Sequence, residues 1–113
     1  MKVNILGQDY EILHQTKEEN SSLRNANGIC ECYSKEIIIE IMEEEEGTWA
    51  NFSEYKNLVL RHELIHAYFN EMGLHDKYGK DEVLVDCLAH QIPKMAVVFE
   101  ELGILGGWRE WKK

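Results

Sequence analysis

Leu58-Val59-Leu60-Arg61-His62-Glu63-Leu64-Ile65-His66-Ala67-Tyr68-Phe69 is the stretch whose reading decides the fold of this chain. It reads as the middle of a helix that is apolar nearly all round, and a helix of that kind is buried. Asn51 or Ser53 can cap it, and Gly73 followed by Leu74 has the form of a C-terminal stop, so the helix is expected to run to about Met72. Two histidines and a glutamate inside a buried helix are costly unless they find partners.

Working outward, His75 to Lys80 is polar and reads as a loop, and Asp81 can cap a second helix from Glu82 towards Glu101. Pro93 lies within that helix and predicts a kink or a break into two pieces. Gly103 ends it, and the tail Gly106-Gly107-Trp108-Arg109-Glu110-Trp111 reads as a docking segment that covers apolar surface with its tryptophans. On the other side, Lys2 to Leu6 and Tyr10 to Leu13 flank the turn signal Gly7-Gln8-Asp9 and can form a hairpin. Lys17 to Asn27 is a polar loop. Gly28 to Tyr33 and Glu36 to Met42 form a second strand pair, and Ile37-Ile38-Ile39-Glu40-Ile41 suits a half-buried or central strand. Glu43 to Glu46, before Gly47, is a solvated charge run. Strands come first and helices second, so the expectation is an α+β fold with about four antiparallel strands followed by two helices. The whole chain, residues 1–113, is expected to be one domain, with strands to about residue 47, helices over about 51–102 and a tail from 103.

Composition narrows the function. Twelve Lys and Arg against 21 Asp and Glu give a formal charge of −9. The few basic residues are scattered, which argues against nucleic-acid binding and against anionic membrane surfaces. No apolar run has the length of a membrane span, and the N-terminus is not a signal peptide, so the expected compartment is the cytoplasm. The three cysteines, Cys30, Cys32 and Cys87, cannot form a complete disulfide framework. Cys30 and Cys32 share one face of a strand and read as small buried thiols, with no partners at spacings that would make a metal site.

The chemistry lies in His62-Glu63-Leu64-Ile65-His66. His62 and His66 are one helical turn apart, so both imidazoles leave the same face and can reach one zinc ion at about 2.0–2.1 Å. Glu63 is rotated by about 100° from His62, too far round to be a natural ligand but within reach of a water on the ion. It is therefore the candidate general base for hydrolysis of a carbonyl that zinc polarises. A catalytic zinc takes a third protein ligand and leaves a fourth position open. The extended form with a third histidine is absent, since Phe69 and Met72 stand where its glycine and histidine would be. The carboxylates and histidines that follow are Glu71, His75, Asp76, Asp81, Glu82, Asp86 and His90. Glu82, Asp86, Ala89 and Pro93 share one face of the second helix, a face of small groups and two carboxylates that can pack on the histidines. Glu82 is the preferred third ligand. Asp86 is the alternative, or else a partner for a histidine ring.

These residues resemble the ImmA/IrrE-type metallopeptidases, which pair HExxH with a later E-x-x-A-N-x-F-A pattern whose glutamate completes the zinc site. Glu82 falls on that glutamate, Val85 on the first alanine, Asp86 on the asparagine, Leu88 on the phenylalanine and Ala89 on the last alanine. The chain is also similar to small phage-encoded proteins of Gram-positive hosts, through Gly28-Ile29-Cys30-Glu31, His62 to Phe69 and Asp81 to Cys87. The likeness covers roughly residues 28–100. It implies a minimal zincin-like domain with one zinc ion, acting in the cytoplasm of the host cell on a protein substrate such as a phage or host regulator. Asp86 in place of asparagine, and Cys87 where the phage group tends to have tryptophan, depart from those patterns, and no DNA-binding or sensor domain accompanies the motif.

Tyr68, Tyr78, His75 and His90 are available to stabilise an oxyanion, and none is singled out by spacing. Glu36 to Met42 is the candidate strand edge for an extended substrate. His14, Trp49, Trp108 and Trp111 carry no signal beyond packing. The competing readings are a zinc endopeptidase, a non-catalytic zinc-containing binding or regulatory protein, and a metal hydrolase of another amide or ester. Oligomeric state is left open.

Overall fold

The structure is a computed structural model that describes residues 1–42 and 52–106. The Glu43–Glu46 run, Trp49, Asn51 and residues 107–113 lie outside the described residues. Four strands precede two long helices: β1 (Lys2–Ile5), β2 (Gln8–Gln15), β3 (Gly28–Glu31), β4 (Glu36–Glu40), α1 (Phe52–Glu71) and α2 (Glu82–Glu101). The chain is α+β.

β1 and β2 form one antiparallel hairpin, and β3 and β4 form another. The sheet order is β1-β2-β4-β3, so the hairpins meet along a parallel β2–β4 pair, with Ile12 beside Ile37 and Leu13 beside Ile38. The sheet is therefore mixed, not antiparallel throughout. The cause is the isoleucine run. Ile37, Ile38 and Ile39 are all buried, and a strand buried on both faces belongs inside a sheet. Seating β4 against β2 sends β3 to the outer edge, and the chain reaches that edge through residues 16–27. That connection holds a single 3₁₀ turn, Ser21–Arg24, capped by Asn20 and anchored by the buried Leu23.

The first hairpin turns one residue pair earlier than Gly7-Gln8-Asp9 suggests. Ile5 pairs with Gln8 across Leu6-Gly7. Both turn residues have positive φ, 51° and 95°, as a two-residue hairpin turn that matches strand twist requires. Asn4 Oδ1 supports it by accepting from the Gly7 N–H at 2.9 Å.

α1 lies between the sheet and α2, which is why its sequence is apolar on nearly every side. Val59 and Ala67 pack on Ile5, Tyr10, Ile12, Ile37 and Ile39 of the sheet. Ile65 packs on Val85 and Ala89 of α2. Ser53 lies inside α1 and is not its cap. At the far end, Leu74 N–H closes back onto the Phe69 carbonyl at 2.8 Å. There Glu71 Oε2 accepts from Tyr10 Oη at 2.6 Å, Lys35 Nζ at 2.7 Å and Asn70 Nδ2 at 3.1 Å. This fastens the helix end to β2 and to the β3–β4 turn.

α2 does not break at Pro93; it runs as one helix of 20 residues. Proline lacks an N–H, so the carbonyl of Ala89, four residues earlier, loses its intrahelical donor. Arg61 of α1 replaces it: Nε donates to Ala89 O at 2.9 Å while Nη2 pairs with Glu54 at 2.9 Å. No helix among the described residues is long and apolar enough to cross a membrane.

Candidate metal centre

His62 and His66 project from α1 between its two packed sides, and the first turn of α2 faces them. Asp81 caps α2 by accepting from the Leu84 N–H at 3.0 Å, which fixes the start of the helix and sets Glu82 opposite the imidazoles. His62 Nε2 lies 2.9 Å from Glu82 Oε2, His66 Nε2 lies 3.1 Å from Glu82 Oε1, and the two Nε2 atoms are 3.3 Å apart. His62, His66 and Glu82 form the one three-donor group among the described residues that could hold a metal ion.

The other ring nitrogen decides the tautomer of His66. The single π-helical turn His75–Gly79 carries the Gly79 carbonyl to 2.7 Å from His66 Nδ1. A carbonyl only accepts, so Nδ1 donates, and Nε2 of the neutral ring presents its lone pair to the cluster. Burial, first among the causes, holds His66 below its ordinary pKa and so favours that neutral ring. On His62, Asp86 Oδ1 stands 3.4 Å from Nδ1. Asp86 thus lies on the nitrogen facing away from the cluster and acts on the orientation of the ring. Its other oxygen is 3.5 Å from His90 Nε2.

Glu63 is 8% exposed, and no described residue donates a hydrogen bond to it. Burial pushes its carboxyl up to about 7, against the pull of His62 and with the charge of Glu82 adding to the rise. Its place depends on Gly28, the first residue of edge strand β3. A Cβ built at Gly28 would lie 2.9 Å from Glu63 Cγ and 2.9 Å from Val59 Cγ1. A cleft of about 370 Å³ lined by Tyr55, His62, Glu63 and Asp86 meets a second of about 380 Å³ lined by Cys30, Cys32, His75 and Lys80. They share Ala26, Gly28, Glu63, His66 and Glu82, so His66 and Glu82 face both clefts and His62 faces the first.

The remaining candidates fall elsewhere. Glu71 is engaged with Tyr10 and Lys35, Asp76 with Lys80 at 3.2 Å, and Asp81 with the α2 N-terminus. Tyr68 and Tyr78 are 37% and 39% exposed and line neither cleft. His75 does line the second cleft, and its Nδ1 is buried without a hydrogen-bond partner among the described residues. β4 has no free edge, because β2 and β3 flank it. The edge beside the metal donors belongs to β3, which displaces Glu36 to Met42 as the strand for an extended ligand. Cys30 and Cys32 sit with their sulfurs 3.5 Å apart as free thiols, and burial, with Cys32 adding to it, raises the Cys30 pKa.

Sequence reasoning did not assign roles to Gly28 and Gly79. Gly28 opens the strand that carries Cys30, and Gly79 sits just before the α2 cap; a glycine at each place marks a close backbone approach. No family profile matches this chain, and no curated protein or solved structure matches it.

Proposed function

We propose that this chain is a zinc-dependent hydrolase of the metallopeptidase type, with His62, His66 and Glu82 as ligands and Glu63 as general base. One observation carries the reading. Three groups able to bind a metal lie 2.9, 3.1 and 3.3 Å from one another, and the partner of the His66 Nδ1–H leaves a lone pair on Nε2 of that neutral ring. His66 Nε2 and Glu82 Oε1, 3.1 Å apart, then have no proton between them, and a cation at that point would hold them together. The separations are close to the edge, about 3.3 Å, of a tetrahedron with ligands at about 2.0–2.1 Å, and two imidazoles with one carboxylate suit zinc better than magnesium or calcium.

An ion bound there would supply Lewis-acid activation of water and of a substrate carbonyl. The chain supplies the rest. Glu63, beside the three donors and without a hydrogen-bond donor among the described residues, takes a proton and returns it to the leaving amine. Gly28 holds Glu63 against the cleft, and Asp86 orients His62. An extended segment of a protein can add to the outer edge of β3, where main-chain pairing would run it past Glu63. Three protein ligands beside an open cleft favour an enzyme over a structural metal, which takes four. The resemblance to ImmA/IrrE-type peptidases supports a protein as substrate, and a phage or host regulator as its kind.

The test is to incubate the zinc-loaded protein with a proteome-derived peptide library and to identify new termini by mass spectrometry. New termini are expected with the native chain and not with Glu63→Gln or after chelation. A library left intact, or cleaved equally by Glu63→Gln, overturns the reading.

A further inference from the structure

β3 and the turn that follows it carry two thiols that the proposed metal centre does not use. Cys30 and Cys32 are both half-buried and free, and their sulfurs lie 3.5 Å apart. Both line the cleft of about 380 Å³ that also reaches Glu63, His66 and Glu82. An ion held by two sulfurs takes further ligands. The one three-donor group among the described residues that could hold an ion is His62, His66 and Glu82, so the thiols have no third ligand. A disulfide needs only the two sulfurs, and the backbone suits one. Two residues apart on an extended strand, Cα atoms are ~6.7 Å apart, near the upper limit of about 6.8 Å for a bridged pair. Cys32 lies one residue beyond β3, where the chain leaves the extended form. The two sulfurs need to close by only ~1.5 Å to bond.

We infer that Cys30 and Cys32 form a dithiol that exchanges with small disulfides entering this cleft, Cys32 taking up the adduct and Cys30 resolving it. The two sulfurs are not equivalent. Cys30 packs against the core of the sheet, and burial, with Cys32 adding to it, holds its thiol protonated. Cys32 stands at the turn, outside that packing, and reacts first. Its thiolate attacks one sulfur of the small disulfide, the S–S bond of that molecule breaks, and a mixed disulfide forms. The sulfur that leaves takes up the proton that Cys32 gave up. Cys30 Sγ then attacks Cys32 Sγ, and the second small thiol leaves with the proton of Cys30. Two electrons pass from the pair to the small disulfide, which ends as two thiols. Until Cys30 acts, the adduct occupies the cleft; closure of the Cys30–Cys32 bond clears it. Cys87 is the contrast: it is exposed on α2 and has no sulfur neighbour among the described residues, so an adduct there has nothing to resolve it. The inference is independent of the hydrolase reading.

The test treats the full chain, zinc-loaded and metal-free, with glutathione disulfide, blocks the remaining thiols with iodoacetamide, and digests with trypsin without reduction. Cleavage after Arg24 and Lys35 releases one peptide with both thiols of the pair and no other, and cleavage after Lys80 and Lys94 isolates Cys87. By mass, the first peptide is expected to be lighter by two hydrogens than its reduced form, with neither glutathione nor the blocking group attached, while Cys87 keeps its adduct. Cys30→Ser should leave glutathione on Cys32, and Cys32→Ser should lower modification of this peptide about tenfold. The native chain alone decides closure, whether or not the variants fold. A native pair recovered as two blocked thiols, or one that accumulates glutathione without closing, overturns the inference. So does a pair that closes only after chelation, which would assign both sulfurs to a metal. Undiminished glutathione on Cys30 in Cys32→Ser overturns the order of attack.

Discussion

Glu63 and Glu71 lie on the same helix, about two turns apart, and the fold treats their carboxyl groups in opposite ways. Glu71 receives three donors, and its pKa is held down, first by Lys35 and then by Tyr10. Glu63 receives none from the described residues and is pushed up to about 7, first by burial. A carboxylate that fastens a helix is stabilised as the anion. A carboxylate meant to accept a proton is left in a site that does not favour the anion. The difference separates a group that serves the fold from one that the proposed hydrolysis would use.

The strongest way to break that comparison is to exchange each group. Glu63→Gln should lower hydrolysis by about 100-fold or more while keeping the metal, as loss of a general base does. Glu71→Gln should keep turnover within about twofold and lower the melting temperature instead. Parallel activity and thermal-melt measurements decide it, and a Glu71 variant that loses activity without losing stability would erase the distinction.

Gly28→Ala acts on Glu63 and on Val59 one turn before it. The added methyl lies 2.9 Å from Glu63 Cγ and must push the side chain or the strand away. Activity should fall at least tenfold, with a stability loss of about 1–3 kcal/mol, while zinc stoichiometry stays unchanged. Loss of the zinc as well would mean that Gly28 shapes the whole site rather than the base.

The pH dependence of stability sharpens the contrast, because the two groups have opposite signs. Glu71 has a depressed folded pKa, so its contribution is present above the ordinary carboxylate range and is lost as pH falls through the folded value. Glu63, in metal-free protein, has a raised folded pKa. The fold therefore loses stability as pH rises from about 4.5 to 7, by up to about 3 kcal/mol. Chemical denaturation of chelated protein should show that loss flattened in Glu63→Gln, and the loss at acid pH flattened in Glu71→Gln.

The order of strands and helices was legible because its signals are local: the isoleucine run of β4, the apolar block around His62 and the cap at Asp81. The histidine pair was legible because helical spacing alone puts both rings on one face. The parallel seam between the hairpins was not, since nothing within β2 or β4 states which strand lies beside it. The unbroken passage of α2 through Pro93 was also hidden. It depends on Arg61, 28 residues from the carbonyl it satisfies. Arg61→Leu should cost about 1 kcal/mol, and less in a Pro93→Ala background, where the helix regains its own donor. Equal costs in both backgrounds would remove that explanation of the unbroken helix.

The central claim is that His62, His66 and Glu82 hold one zinc ion and leave a position open for chemistry. X-ray absorption of the zinc-loaded protein measures it most directly. The account predicts one zinc per chain with two imidazoles, carboxylate oxygen and a further light-atom ligand, all near 2.0–2.1 Å, and loss of that signature in His66→Ala. Sulfur near 2.3 Å would assign the ion to Cys30 and Cys32 instead and would contradict the account, as would a chain that binds no stoichiometric zinc.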